Sequence, residues 1–569
     1  MIIEVKLEKL SPGSKEGKVG KIHKTVGQLV KAGDVLLEVE GRKGNIPVKS
    51  NIEGKICSLD VEEGSRVKLG DVLFKIDVEK NNEEHKGCNE SAMENIQEKC
   101  CCKEKDVVEG DIAILGGGPG GYVAAIQAAK LGAKVVLIEK DKVGGTCLNR
   151  GCIPTKALVR SAEVYNNIKE AESFGISIEN PSVDMTKVIE RKNKIVDNLV
   201  GGIEYLLNKN NIKFIKGKGK LVDNNTITID DKTLVKAKNI IIATGSKTCC
   251  LPIKGANFKN VITSDEALDL KELPKKIVII GGGVIGMEFA FIYANMGVEV
   301  YVVEYFDNVL TMLDQDVIDE ITNISKDKGI KLYTGCKVEE ILAAEEDECI
   351  VKFNKNGEYK YVSCDKVLMS VGRQPYFENI GIENLNIELN ERGKGIKVND
   401  KMETSIPNIY AIGDVTNKMQ LAHVASHQGI VAVKNILGTA EEMDYNSVPS
   451  VIFTEPEIAA VGITEKIAKE EGMDIVVGKF PFAANGKAMT YGETRGFIKI
   501  IKESSSGKII GCSIIGPHAS DLIAEVTLAV KNGLTAEQII ETIHAHPTTS
   551  EVIHEAALAT EGGAIHFAE

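Results

Sequence analysis

Two stretches of this chain share one design. Residues 111–140 read DIAILGGGPGGYVAAIQAAKLGAKVVLIEK, and residues 275–305 read KKIVIIGGGVIGMEFAFIYANMGVEVYVVEY. Each runs strand, glycine-rich turn, helix, strand, the signature of an α/β dinucleotide-binding unit. The first turn carries Gly116, Gly118 and Gly121, with small Ala125 beyond; the second carries Gly281, Gly283 and Gly286, then Ala290. A turn this tight needs residues without side chains, and the helix N-terminus that follows faces a pyrophosphate. Glu139 and Glu304 each lie 23 residues past the first glycine of their unit, at a strand end, placed to accept hydrogen bonds from a ribose diol. A lone G-x-G-x-x-G is often an ordinary turn, but two copies in the same context, each with its acid, make that reading untenable. No basic residue stands beside Glu304, so the second site favours NAD over NADP. Two sites in one chain imply electron transfer between two dinucleotides, with a flavin as the first occupant.

Five residues after Glu139 comes GGTCLNRGCIPTKAL, which holds Cys147 and Cys152. On an ideal helix these Cα atoms would be roughly 8–9 Å apart, and a disulfide needs less than about 7 Å. The pair closes only if the backbone is distorted or one cysteine precedes the first regular turn. Gly151 and the Gly144–Gly145 step allow either. Such a bond is suited to thiol–disulfide exchange, whereas the bland alternative is two ordinary buried thiols.

The first 79 residues have another texture. Short alternating strands are separated by Gly-Asp and Gly-Ser turns, and VKAGDVLLEVE recurs as VKLGDVLFKID 37 residues later. Two matching half-units packed face to face as a small β-sandwich are expected. Lys43 lies at the hairpin tip between the halves, in GRKG. Residues 80–108 are polar and read as a flexible linker, with a short helix possible around SAMENIQEKC. Cys88 and Cys100–Cys102 lie there without metal-ligand spacing, so they read as free thiols and no metal site is expected. From residue 448, strands such as VVGKFPF, GFIKIIKE and KIIGCSIIG, followed by helices at 519–532 and 535–543, indicate an α+β unit.

A net charge of −13 argues against a nucleic-acid surface. No run of eighteen apolar residues is present, so no membrane span is expected, and MIIEVKLEKL lacks a signal-peptide pattern; a cytoplasmic location follows. Thirteen scattered cysteines do not form a secreted disulfide framework.

The GGTCLNRGCIPTKAL stretch resembles the redox-active motif of the flavin disulfide reductases, specifically the dihydrolipoyl dehydrogenases, with Arg150 at the variable position and Thr155 in place of Ser. The resemblance covers residues 110–569 and includes IIATGS, VGRQP, YAIGDV, LAHVASHQG, TEPEIAAVG and HAHPTTSE. It implies that Cys147 is the interchange thiol and Cys152 the thiol next to the flavin. Lys156 would lie by the isoalloxazine, paired with Glu288; Asp414 would bind the ribityl chain, with Gly413 and Gly245 in the loops around FAD and Gly372 beside NAD. His546 would be the acid–base, held by Glu551 and delivered by the other subunit of a homodimer. Without the resemblance, His546 is a modest candidate: HAHP reads as a helix start at Pro547, and His544 competes for the role. Mercuric reductases, glutathione reductases, CoA-disulfide reductases and small thioredoxin reductases are excluded, respectively, by the tail EGGAIHFAE, by Glu304-Tyr305, by the paired cysteines and by their position.

The first 79 residues resemble a lipoyl domain of the 2-oxoacid dehydrogenase complexes. Lys43 takes the lipoyl position in Glu40-Gly41-Arg42-Lys43-Gly44, where the family turn reads ETDKA. A biotinyl domain would place Met on both sides of the lysine. The expected architecture is therefore multidomain: a lipoyl-like β-sandwich (1–79), a linker (80–108), an FAD-binding α/β domain (109–255 and 378–447), an NAD-binding domain (256–377) and an α+β dimerisation domain (448–569). The expected activity is oxidation of protein-bound dihydrolipoamide by NAD+ through a disulfide and FAD, as a component of a 2-oxoacid dehydrogenase or glycine-cleavage system. The partners would be lipoyl domains of an acyltransferase or an H-protein-like subunit. The alternative is a related NADH-dependent disulfide reductase that passes electrons to its own lipoyl domain.

Overall fold

The computed structural model describes residues 2–7, 16–25, 28–41, 44–50, 52–59, 61, 63–77, 106–344, 348–391 and 394–568. The chain forms two compact units, Met1–Cys101 and Cys102–Glu569.

In the first unit the 37-residue repeat becomes a structural one. Strands Gly17–Ile22, Leu29–Val30 and Val35–Gly41 have their counterparts in Gly54–Leu59, Arg66–Val67 and Val72–Asp77. With Ile2–Lys6 and Gly44–Lys49 they form two four-stranded sheets. One is ordered Ile2–Lys6, Val72–Asp77, Gly54–Leu59, Leu29–Val30; the other is Gly44–Lys49, Val35–Gly41, Gly17–Ile22, Arg66–Val67. The alternating apolar residues Val19, Leu37, Val39, Ile56, Phe74 and Ile76 fill the core between them. The equivalent strands differ in what they pair with next. Val72–Asp77 pairs with Ile2–Lys6, whereas Val35–Gly41 turns back on Gly44–Lys49 down to the Gly41–Gly44 pair. Among the described residues, only the first copy therefore has such a hairpin. Arg42 and Lys43 lie outside the described residues, as do residues 78–105, which hold the expected linker helix and Cys88 and Cys100–Cys102.

Three sheets of five or more strands build the second unit, beside one of two strands and one of three. In the first, Lys213–Lys216, Val135–Glu139, Asp106–Leu115, Thr233–Ile242 and Ile409–Ala411 run parallel, and Thr226–Ile229 and Gly219–Leu221 extend it antiparallel. In the second, Val261–Ile262, Lys366–Met369, Lys276–Ile280, Glu299–Val303 and Lys331–Tyr333 are all parallel. Their continuous apolar runs suit strands covered on both faces. The Val284–Asn295 helix is apolar almost all round and buried, as a helix wedged inside the molecule must be. The third sheet is antiparallel, ordered Ser450–Ile452, Glu457–Gly462, Ile509–Gly516, Phe497–Glu503, Ile475–Pro481. Helices Ala519–Asn532, Ala536–Glu541 and Glu551–Ala559 share one core with it.

Two expectations are corrected. Residues 106–108 are not linker but the start of the Asp106–Leu115 strand, because they pair with Thr233–Val235 of a strand more than a hundred residues away. HAHP does not start a helix. Residues 544–550 form a loop, and the helix begins at Glu551, an acidic first-turn residue that complements the helix dipole. Among the described residues no helix is long and apolar enough to cross a membrane.

Candidate redox site

The two glycine turns solve the same problem in the same way. Gly116 and Gly281 adopt φ of +115° and +105°, which only glycine takes up readily. A Cβ on Gly121 or Gly286 would lie 1.9 or 2.0 Å from the carbonyl oxygen of Gly116 or Gly281, so helix and turn pack with no room for a side chain. A Cβ on Gly283 would meet nothing within 4 Å, and one on Gly118 only the Gly145 Cα at 3.8 Å. That open face at each helix N-terminus fits a pyrophosphate.

The acids fit as well. Glu139 accepts from Gly117 N at 2.7 Å and Asp141 N at 2.8 Å; Glu304 accepts from Gly282 N at 2.5 Å and Phe306 N at 2.8 Å. Each carboxylate is thus fixed beside its glycine turn with acceptor capacity to spare for a ribose diol. Asp414 is tied to Ser246 Oγ at 2.5 Å, and burial raises its pKa. Gly245, Gly372 and Gly413 all adopt positive φ, and the Gly413 N–H donates to Gln428 Oε1 at 2.6 Å.

The cysteine pair sits where the backbone breaks. Gly145–Arg150 and Cys152–Lys169 are separate helices, joined by Gly151 at φ −145° and ψ −116°. This break is the distortion that the spacing demanded. The two thiols meet across this break and interact directly, each shifting the ionisation of the other. The hydrogen bond from Cys147, with help from the Lys156 ammonium, lowers the pKa of Cys152 to about 7 against its burial. The same hydrogen bond and burial push Cys147 up. Of the two thiols, Cys152 is therefore the one that ionises more readily.

Lys156 is held from three sides. Its Nζ lies 2.9 Å from both oxygens of buried Glu288 and 4.2 Å from the centroid of the Phe453 ring, and the Phe453 N–H donates to Glu288 at 3.0 Å.

At the far end of the unit, His546 Nδ1 lies 2.9 Å from Glu551 Oε1, and the Thr548 N–H donates to the other oxygen at 2.9 Å. Burial works against ionisation of Glu551, but these two donors hold its carboxyl below the usual range. The His546 side chain is 80% exposed. Among the described residues no hydrogen bond joins it to either cysteine. The competing His544 has both ring nitrogens engaged, with Thr542 O and Glu525 Oε1 at 2.9 Å each. It has no nitrogen left for a substrate.

Several contacts were beyond the reach of sequence reasoning. Arg373 donates to Ser246 Oγ at 2.8 Å and reaches Thr146 Oγ1 at 3.5 Å, so it links the Asp414 loop to the cysteine helix. Arg150 pairs with Asp141 and lies 4.0 Å from Asp265. The motif strings IIATGS and VGRQP contain Ser246 and Arg373 but give no sign that they meet.

Two dinucleotide cradles flanking a dithiol define a flavin-dependent disulfide oxidoreductase. Comparison with known proteins narrows this. The chain matches the pyridine nucleotide-disulphide oxidoreductase family over residues 110–429 and its dimerisation domain over 448–557. Residues 3–76 match the biotin/lipoyl domain described as biotin-requiring enzyme. A dihydrolipoyl dehydrogenase of Bacillus subtilis (strain 168) is 45% identical over 473 residues, 81% of this chain and 99% of its own. That of Chlamydia pneumoniae is 44% identical over 462 residues, 81% of this chain and 98% of its own. Among solved structures, the HOCl-induced flavoprotein disulfide reductase RclA of Escherichia coli is similar with a TM-score of 0.71 at 31% identity, covering 79% of this chain and 99% of its own. LpdA of Mycobacterium tuberculosis has a TM-score of 0.74 at 28% identity, with the same coverage of 79% and 99%. The chain belongs to the dihydrolipoyl dehydrogenase family, as an NAD-dependent flavoenzyme that also carries an N-terminal lipoyl domain.

Proposed function

We propose that the chain oxidises a protein-bound dihydrolipoyl group to its disulfide and passes the two electrons to NAD+. The observation that carries this reading is the Cys147–Cys152 dithiol, with its charge on Cys152 beside Lys156. In the oxidised enzyme the two cysteines are joined. His546, oriented by Glu551, takes the proton of a substrate thiol, and the thiolate attacks Cys147 Sγ. The Cys147–Cys152 bond breaks and Cys152 leaves as a thiolate stabilised by Lys156. The second substrate thiol then attacks the substrate sulfur bound to Cys147, and its proton passes to the departing Cys147, which leaves as the thiol. The lipoyl ring closes, and the first proton stays on His546 as the counter-charge of the Cys152 thiolate.

FAD, when bound, supplies the two-electron carrier between this dithiol and NAD+. Gly116, Gly118, Gly121, Glu139, Gly245, Gly413 and Asp414 would hold it, with Lys156, fixed by Glu288, at its reactive ring. Gly281, Gly283, Gly286, Glu304 and Gly372 would hold NAD+. The exposure of His546 supports a homodimer in which it serves the cysteines of the partner. The domain limits proposed are those given above, with the first strand of the FAD domain reaching back to Asp106.

Lys43 is the proposed lipoyl attachment site, and the chain's own lipoyl arm the tethered substrate. A tether turns encounter into an effective concentration on the order of millimolar. Lipoyl domains of an acyltransferase or an H-protein-like subunit would exchange with it, in the cytoplasm. The second reading is a disulfide reductase driven by NADH, with the lipoyl domain as its electron acceptor; the likeness to RclA favours keeping it. Assays with free dihydrolipoamide and glutathione disulfide, each with NAD(H) and NADP(H), separate the two. NAD+-dependent oxidation of dihydrolipoamide is expected, and its absence overturns the first reading. Intact mass of the Lys43→Arg chain should lack the lipoyl increment of the parent.

A further inference from the structure

Phe453 to Glu455, the residues that follow the Ser450–Ile452 strand, lie across the two helices that bear the redox groups. The Cys152–Lys169 helix carries Cys152 and Lys156, and the Val284–Asn295 helix carries Glu288. The helices are joined at two places. At the first, Lys156 Nζ lies 2.9 Å from both Glu288 oxygens. At the second, about two turns further along the Val284–Asn295 helix, Lys169 Nζ donates to Asn295 O at 2.7 Å. Phe453 serves the first place. Its N–H donates to Glu288 Oε1 at 3.0 Å, and its ring centroid lies 4.2 Å from Lys156 Nζ. Glu455 serves the second. Its Oε1 accepts from the Asn166 amide at 3.0 Å, and its Oε2 accepts from the Asn295 amide. Lys328 completes that end, 3.4 Å from Glu455 and 3.0 Å from Asn295 Oδ1.

Between the two places the packing is incomplete. A cavity of about 10 Å³ is lined by Val159 and Ala162 of one helix, by Phe291 and Ile292 of the other, and by Phe453. Apolar contact is lost there, so the hydrogen bonds carry more of the task of setting how the helices sit. Asn295 is 5% exposed, and its amide depends on Glu455 and Lys328. We propose that Glu455 is a positioning residue for the redox centre: by fixing Asn166 and Asn295 it anchors the Phe453 segment across both helices and keeps the Lys156 ammonium placed for the Cys152 sulfur.

Lys156 has two anions to serve. Cys152 lies one turn earlier on its own helix, and Glu288 faces it from the other. Glu288 is itself divided between Lys156 and the Phe453 N–H. When Glu455 is removed, the segment loses its anchor and the Phe453 N–H withdraws from Glu288. The freed carboxylate then takes a larger share of the Lys156 charge. The Cys152 thiolate is less stabilised, and the reduced dithiol with it. Moving an ammonium by about 1 Å at contact range changes a thiolate equilibrium about threefold.

The role of Glu455 rests on that of Lys156 in the proposed function, and the test keeps the two apart. The holoenzyme and its Glu455→Ala, Glu455→Gln, Lys156→Met and Arg495→Ala variants are equilibrated without oxygen against fixed ratios of dihydrolipoamide to lipoamide. Dihydrolipoamide is oxidised as the Cys147–Cys152 disulfide is reduced. The mixture is quenched with acid, denatured and alkylated, and tryptic peptides report the two cysteines separately because Arg150 lies between them. Glu455→Ala should lower the ratio of reduced to oxidised pair about threefold, and Lys156→Met should lower it further. Glu455→Gln, which keeps the reach and one acceptor, should recover part of the loss. Arg495→Ala cuts the bonds to Glu320 and Asp327, a different link to the Gln315–Asp327 helix, and should leave the ratio unchanged. A parental ratio in Glu455→Ala overturns the inference. So does an Arg495→Ala shift as large as that of Glu455→Ala, because both then report general loosening. If Glu455→Ala does not fold, Asn166→Ala removes the bond to the helix that carries Cys152 and should lower the ratio likewise; a parental ratio there overturns the inference too. A parental ratio in Lys156→Met strikes at Lys156 in the proposed function and takes the role of Glu455 with it. A lowered ratio there with an unmoved Glu455→Ala strikes at Glu455 alone.

Discussion

One glycine decides whether the two thiols meet. At Gly151 a Cβ would lie 2.9 Å from Thr146 O and 3.3 Å from the Cys147 Cα. Gly151→Ala must push apart the two turns that carry the cysteines. We expect a stability loss on the order of 1–3 kcal/mol, read from denaturant unfolding, together with slower exchange with a model disulfide. The thiol pair makes a second prediction. With Cys152 lowered to about 7, its thiolate is present above that pH and lost below it. Removing the hydrogen-bond donor in Cys147→Ala should move the midpoint up, visible in the ultraviolet thiolate absorbance. An unchanged midpoint would mean that Lys156 alone sets it. The motif made both cysteines legible in the sequence, and the spacing argument foresaw a distortion. Which sulfur bears the charge was not legible from spacing, because it depends on how the two thiols meet across the Gly151 break, with Lys156 favouring the Cys152 thiolate and Glu288, 132 residues from Lys156 in the chain, opposing it.

At the scale of elements, the strand GFIKIIKE was readable as a strand, but the fate of its lysines was not. Lys499 and Lys502 are 1% and 7% exposed, although a lysine in a strand ordinarily points to water. Lys499 Nζ meets Asp314 at 2.9 Å, Asp316 at 2.8 Å and Glu465 at 2.7 Å. These three carboxylates lie close enough together to hold a metal ion, and the ammonium takes that place. Asp314 and Asp316 stand at the start of the Gln315–Asp327 helix of the NAD-binding region, and Glu465 opens the Glu465–Glu470 helix, which runs between the Glu457–Gly462 and Ile475–Pro481 strands of the antiparallel sheet. The lysine thus binds the NAD-binding region to the sheet, through partners brought together only by the fold. Desolvation opposes its charge, yet hydrogen bonds to the three carboxylates raise its pKa. Lys499→Met should cost about 3–5 kcal/mol, because it leaves the buried Asp314 carboxylate, crowded by Asp316 and Glu465, without its cation. A denaturant midpoint equal to that of the parent would refute this account.

At the scale of the whole molecule, the proposed function has assembly join the base and the thiols. His546 was legible from HAHPTTSE, and its hydrogen bond to Glu551 forms within the chain. Whose cysteines it serves is not written in any local pattern, because the answer lies in how two copies pack. Within one chain its ring faces outward, and residues 448–557 match a dimerisation domain. Two dead variants test the consequence. Cys147→Ala lacks the interchange thiol but has an intact His546; His546→Gln has the thiols but no base. Each homodimer should be nearly inactive. In a mixed dimer one site combines the intact thiols of the His546→Gln chain with the intact base of the Cys147→Ala chain, and the other site lacks both. Random reassortment of equal amounts makes half of the dimers mixed, so roughly a quarter of parental activity should return. Reassortment is followed independently by a mass-distinguishable tag. Mixed dimers that form without any recovery would place the base and the thiols of each site on the same chain.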